Sequence, residues 1–118
     1  MKINQREAKI QAMIEEANKL GLDLSEDLIR KVVIGLGPAV FRKASELVSC
    51  SQPKELETIR ENFLKKKLGL TNLSDEELDK AIEEVCEILG KSNRAKKRVH
   101  FYALLIKKFN KEDEYQPN

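Results

Sequence analysis

The sequence predicts an all-α chain, a compact irregular (orthogonal) bundle of about five to six helices. Three observations lead there. Apolar residues recur at i, i+3, i+4 and i+7 along almost the whole chain. Lys, Glu, Leu and Ile dominate, with no Trp, four Phe and two Tyr, a composition that favours helix over strand. Gly and Pro interrupt the helical pattern at short, unequal intervals, which suits irregular crossing of helices better than a regular four-helix bundle.

The first helix is expected from about Asn4 to Leu20, with Ile10, Met13, Ile14, Ala17 and Leu20 on one stripe and Gly21 closing it. Ser25 suits the N-cap of a second helix. Glu26 and Asp27 favour its dipole, and Leu28, Ile29, Val32, Val33 and Leu36 form its inner face. Gly35, Gly37 and Pro38 break it. Pro38 fits the first turn of a short third helix carrying Val40, Phe41 and Ala44, followed by an unassigned stretch over 45–52. Pro53 opens a fourth helix with Leu56, Ile59, Phe63, Leu64 and Leu68 inward, and Lys65, Lys66 and Lys67 stand at its favourable C-terminal end. Ser74, with Glu77 three residues on, reads as a capping box for a fifth helix, whose face is Leu78, Ala81, Ile82, Val85 and Leu89. Ser92 or Asn93 is the expected cap of the last helix, which carries Val99, Phe101, Tyr102, Leu105, Ile106 and Phe109.

A chain of 118 residues suits one domain, expected over 1–110, with the polar stretch 111–118 as a flexible C-terminal tail. A formal net charge of +2 gives no whole-chain argument for a polyanionic partner. Cys50 and Cys86 are the only cysteines. Unclustered in a Lys- and Glu-rich chain, they read as unpaired, reduced thiols, without metal-ligand spacing. Met1 to Leu20 is charged throughout, and nothing approaches ~20 consecutive apolar residues, so neither a signal peptide nor a membrane span is expected. A cytoplasmic location follows by default.

Two features suggest contact with anions. The corner Gly35-Leu36-Gly37-Pro38 resembles the turn of helix-hairpin-helix modules, in which a Gly-hydrophobic-Gly turn lets backbone amides approach a phosphate; Arg42 and Lys43 lie one turn beyond. Phe41 departs from that motif, which wants a small residue there, and the chain has a single copy. The plain alternative is a tight interhelical corner. The second feature is the start of the last helix, with Lys91, Arg94, Lys96, Lys97 and Arg98, and no acid between Lys91 and Lys111. Positive charge at a helix N-terminus opposes the dipole by about 0.3–1 kcal/mol per charge, and a broken local rule is where function is worth suspecting. The plain alternative is that acids of the fifth helix, such as Glu83, Glu84 or Glu87, neutralise the cluster.

No catalytic set can be assembled. His100 is the only histidine. Gly90-Lys91-Ser92 is not a nucleotide-binding loop, because Val85 stands where the earlier Gly belongs and a helix precedes it. The acidic run Asp75, Glu76, Glu77 and Asp79 lacks the spacing and central Gly of a calcium loop. No catalytic residue, metal ligand or cofactor is therefore assigned.

Several separated motifs, Val33-Ile34-Gly35-Leu36-Gly37-Pro38, Pro53-Lys54-Glu55-Leu56-Glu57-Thr58, Asn62-Phe63-Leu64, Lys66-Lys67-Leu68-Gly69-Leu70 and Ser92-Asn93-Arg94, recur here in order. Together, over about Leu24 to Phe109, they resemble a family of small bacterial proteins known as domain of unknown function 2853. The resemblance implies an all-α orthogonal bundle and no activity. The residues themselves suggest a small non-catalytic interaction or accessory module acting through its surface, with an unidentified protein partner. Sequence-tolerant nucleic-acid or phosphate binding through the basic cluster and the Gly35–Pro38 corner is the alternative.

Overall fold

The structure, a computed structural model, describes residues 4–117. Six α-helices follow in order: α1 (Gln5–Lys19), α2 (Glu26–Leu36), α3 (Lys43–Glu46), α4 (Pro53–Thr58), α5 (Asp75–Leu89) and α6 (Arg98–Lys108). The only extended pairing among the described residues is a single antiparallel bridge between Leu47 and Lys97.

Helix starts follow local chemistry. Asn4 Oδ1 accepts from the Glu7 amide at 2.7 Å, Ser25 Oγ from Leu28 at 3.1 Å and Ser74 Oγ from Glu77 at 3.1 Å, each satisfying an amide that has no intrahelical partner. Gly37 takes φ +58°, a conformation that a residue with a Cβ adopts only under strain. It turns the chain out of α2 into a five-residue 3₁₀ turn, Gly37–Phe41, before the short α3. The expected third helix is thus split, and of its apolar residues Val40 is buried and Phe41 exposed. After α4 the helix widens into a π-helical segment, Ile59–Lys67, ending with the Leu68 amide on the Phe63 carbonyl at 2.9 Å. Bonds of this kind put residues four and five apart on one face. Ile59, Phe63, Leu64 and Leu68, all buried, have that spacing.

The centre of the fold is α6. Val99, His100, Phe101, Ala103, Leu104, Leu105 and Ile106 are all buried, so the helix is covered nearly all round, as a central helix must be. It packs against α1, α2, α3 and α5. Around it lie Ile10, Met13 and Ile14 of α1, Leu28, Ile29, Val32 and Val33 of α2, and Leu78, Ile82 and Val85 of α5.

Two expectations fail. Of the tail expected over 111–118, the described residues 111–117 are seated against the core through Tyr115, and Asn118 lies outside the described residues. A turn closed by the Tyr115 amide on the Lys111 carbonyl (2.8 Å) seats Tyr115 in the core at 4% exposure, tilted against Phe63, which itself stacks on Tyr102. One buried aromatic is enough to dock a polar segment. Second, Cys50 and Cys86 form a disulfide, with Cα atoms 6.2 Å apart, rather than two free thiols. The fold brings a connecting loop and the last turn of α5 within bridging distance, and a separation of 36 residues does not disclose that. Disulfides persist mainly in oxidising compartments, so the bridge gives no support to the expected cytoplasmic location. No helix among the described residues is long and apolar enough to cross a membrane.

Candidate anion-binding groove

The last helix starts later than its basic run suggests. Asn93 caps a loop rather than a helix: its Oδ1 accepts from the Ala95 amide at 2.9 Å and its Nδ2 donates to the Leu89 carbonyl at 3.0 Å. Lys91, Arg94 and Lys96 therefore sit on the loop between α5 and α6. Lys97 is the N-cap of α6 and Arg98 its first residue. The Val48 amide bonds the Lys96 carbonyl at 2.9 Å, tying the chain after α3 to this loop. Between the two strips lies an open groove of about 650 Å³, bounded by Lys43, Ala44 and Leu47 to Ser51 on one side and by Lys91 to Arg94 and Lys96 on the other.

The basic residues separate into two groups. Arg98 is structural: Nε donates to the Ser45 carbonyl at 2.6 Å, one terminal nitrogen to the Leu47 carbonyl at 3.1 Å, and the guanidinium pairs with Glu55. Lys97 pairs with Glu16 of α1 at 3.1 Å. Lys91 pairs with Glu83 at 3.0 Å and reaches Glu87 at 3.9 Å, and the Glu83 hydrogen bond raises its pKa. Glu84 turns instead to Lys108. Neutralisation is thus real at Lys91, Lys97 and Arg98, with α1 and α4 supplying two of the acids. Among the described residues, Lys43 and Arg94 take part in no ion pair.

Lys96 is the unusual member. It lines the groove yet is 3% exposed, its ammonium donates to the carbonyls of Asn93 and Lys91, and among the described residues it takes part in no ion pair. Burying an ammonium without a counter-ion is costly, and two carbonyls leave one of its three donors over. The groove wall adds hydroxyls from Ser49, Ser51 and Ser92, and none of its lining residues is Asp or Glu. Such a surface can hold an anion through charge-assisted hydrogen bonds.

Of the residues singled out in the sequence, Lys43, Lys91, Arg94 and Lys96 converge here. Gly35, Gly37 and Arg42 do not line the groove. A Cβ on Gly35 would lie 2.2 Å from the Tyr115 hydroxyl oxygen, so this glycine is a seat for the C-terminal segment. Ser49, Cys50 and Ser51 join them from the stretch over 45–52, to which no helical period in the sequence assigns a face. His100 is wholly buried, with Nε2 2.9 Å from the Met13 carbonyl and Nδ1 unpartnered, 3.7 Å from Glu16 Oε2. Among the described residues, no group of three or more His, Cys, Asp or Glu could hold a metal ion.

The family model described as Protein of unknown function (DUF2853) matches residues 11–113, nearly the whole chain. The chain belongs to this family. The DUF2853 match spans both strips of the groove, and Ser92-Asn93-Arg94, part of the family likeness in the sequence, lies in its loop. None of the curated proteins compared matches the chain.

Proposed function

We propose that this protein is a non-catalytic binding module whose ligand is a phosphate-bearing anion seated in the groove between residues 43–51 and 91–96. The observation that carries the reading is the buried Lys96 ammonium flanked by Lys43 and Arg94, none of the three ion-paired among the described residues. The groove volume falls within the range of small-ligand sites. No aromatic ring lines it, so base stacking has no platform and recognition rests on the phosphate. Burial of the one histidine supports the non-catalytic part of the reading. Four large apolar residues are exposed among the described residues, Leu20, Phe41, Leu47 and Ile88. Three of them lie by three different hollows, Leu47 on this groove and Ile88 and Phe41 on two others, which speaks against a single large apolar patch for a protein partner.

The test is equilibrium binding of inorganic pyrophosphate at low ionic strength to the parent and to K43E/R94E, with duplex DNA, single-stranded DNA and RNA as parallel ligands. The parent should bind pyrophosphate, and the variant should lose at least about tenfold in affinity, the worth of one charge-assisted hydrogen bond. Nucleic acid as the phosphate source would appear as tighter binding than pyrophosphate, with a log–log salt slope near −0.9 per phosphate neutralised on duplex DNA. No pyrophosphate binding by the parent, or equal affinity for both proteins, would remove the reading.

A further inference from the structure

The disulfide stands on the wall of this groove. Cys50 lines it between Ser49 and Ser51, whereas Cys86 is 1% exposed on the inner face of α5. Of the two cysteines, Cys50 is therefore the one that a nucleophile in the groove meets. The nucleophile arrives among Lys43, Arg94 and Lys96, with no acid in the lining and with Lys91 already paired with Glu83. A field of one sign in a concave surface concentrates the opposite charge and raises association rates by factors of about 10–10³.

We infer that the Cys50–Cys86 disulfide is an exchange site for small thiols that carry negative charge, and that Cys50 is the sulfur they modify. The inference rests on the anion preference proposed for the groove, though not on phosphate as its ligand. The incoming thiolate attacks Cys50 Sγ, and a new S–S bond forms there as the Cys50–Cys86 bond breaks. The bonding electron pair leaves on the Cys86 sulfur, which takes a proton from solvent. One thiolate, one proton and the internal disulfide give one mixed disulfide on Cys50 and one Cys86 thiol. A second thiolate attacking the thiol's own sulfur in that mixed disulfide releases the oxidised small thiol and leaves Cys50 reduced. The small thiol is the only reductant needed. Rates of such exchange also depend on the intrinsic nucleophilicity of the thiol, so charge selectivity must be read against a reference disulfide.

The experiment uses the intact, oxidised protein and three thiols: mercaptosuccinate (anionic), 2-mercaptoethanol (neutral) and cysteamine (cationic). Each exchange rate is divided by the rate of the same thiol with 2-hydroxyethyl disulfide. At low ionic strength the normalised rate for mercaptosuccinate should exceed that for cysteamine by about tenfold or more, with 2-mercaptoethanol between them. The gap should close toward 1 M salt and narrow or reverse in K43E/R94E, whose fold is checked by circular dichroism. Mass spectrometry after acid quenching should place the first adduct on Cys50. Equal normalised rates at low salt, or a first adduct on Cys86, would overturn the inference. Charge-selective exchange without pyrophosphate binding would sink the phosphate reading alone, and pyrophosphate binding with unselective exchange would sink this one alone.

Discussion

Gly35 looks in the sequence like part of a phosphate-gripping turn, and in the fold it is the floor beneath a tyrosine. Its backbone is helical, so alanine there would gain about 1 kcal/mol in intrinsic preference. The added Cβ would meet the Tyr115 hydroxyl at 2.2 Å, with Pro117 Cα and Tyr115 Cζ at 3.3 Å. Overpacking of this kind costs about 1–3 kcal/mol. Gly35→Ala should therefore destabilise the protein in urea unfolding, and adding Tyr115→Phe, which removes the clashing oxygen, should recover most of the loss. Additive effects would show that the two positions do not meet. Burial pushes the Tyr115 phenol up to about 12, in keeping with a ring held away from solvent. The sequence suggests that Gly35 helps to break α2, whereas Gly35 lies within that helix. The sequence is also silent on what lies above it, because the tyrosine that needs the space is 80 residues further along the chain.

At the same scale, His100 makes a prediction about acid. Burial pushes its pKa below the ordinary 6.5; the Met13 carbonyl and Glu16 pull it back up, and Lys97 pushes it further down. As pH falls through about 6.5 the unfolded chain binds a proton that the folded chain resists. The unfolded state then holds more protons, so unfolding free energy rises with pH and falls on acidification. Stability should drop from about pH 6.5 downward, with a slope of at most about 1.4 kcal/mol per pH unit from this one group. His100→Gln should flatten that part of the profile in urea unfolding at a series of pH values. A profile as steep in the variant as in the parent between pH 7 and 5 would show that His100 is not its source.

At the scale of elements, sequence legibility follows how local the cause is. The α2 and α5 starts are set by Ser25 and Ser74 within one turn, and both lie where the capping chemistry puts them. Ser74→Ala should cost about 0.5–2 kcal/mol in thermal or urea unfolding, since the Glu77 amide loses its acceptor. A cost near zero would mean that water replaces the hydroxyl. The α6 start lies later than the basic run predicts, for a physical reason. Five basic residues in a row of eight suggest a helix beginning under electrostatic strain, whereas the chain spends Ser92 to Lys96 on a loop and opens the helix at Arg98, where Glu55 and Glu16 provide the compensating charge. Those acids lie 43 and 81 residues away. The fourth helix is expected to be regular, and instead it widens after Thr58, where inward residues at 59, 63, 64 and 68 fit a wider turn better than an α-helical one.

Across the whole molecule, what the sequence could not disclose is what the tertiary fold brings together. It placed four of the nine proposed contact residues in one groove, Lys43, Lys91, Arg94 and Lys96, and it paired Cys50 with Cys86. Closing a loop of 36 residues restricts the unfolded chain by about 4 kcal/mol on the chain-entropy model. Reduction should therefore lower unfolding free energy by a large part of that figure, and identical urea midpoints for oxidised and reduced protein would contradict the bridge. The central claim is that the groove beside this disulfide holds an anion. Its most direct test is a pyrophosphate titration of the oxidised, isotopically labelled protein, followed by backbone amide chemical shifts. The account predicts saturable shifts at Ser49, Cys50, Ser51 and the loop Lys91–Lys96, with the Gly35–Gly37 corner unmoved. Shifts centred on that corner, or none in the groove at saturating pyrophosphate, would contradict it.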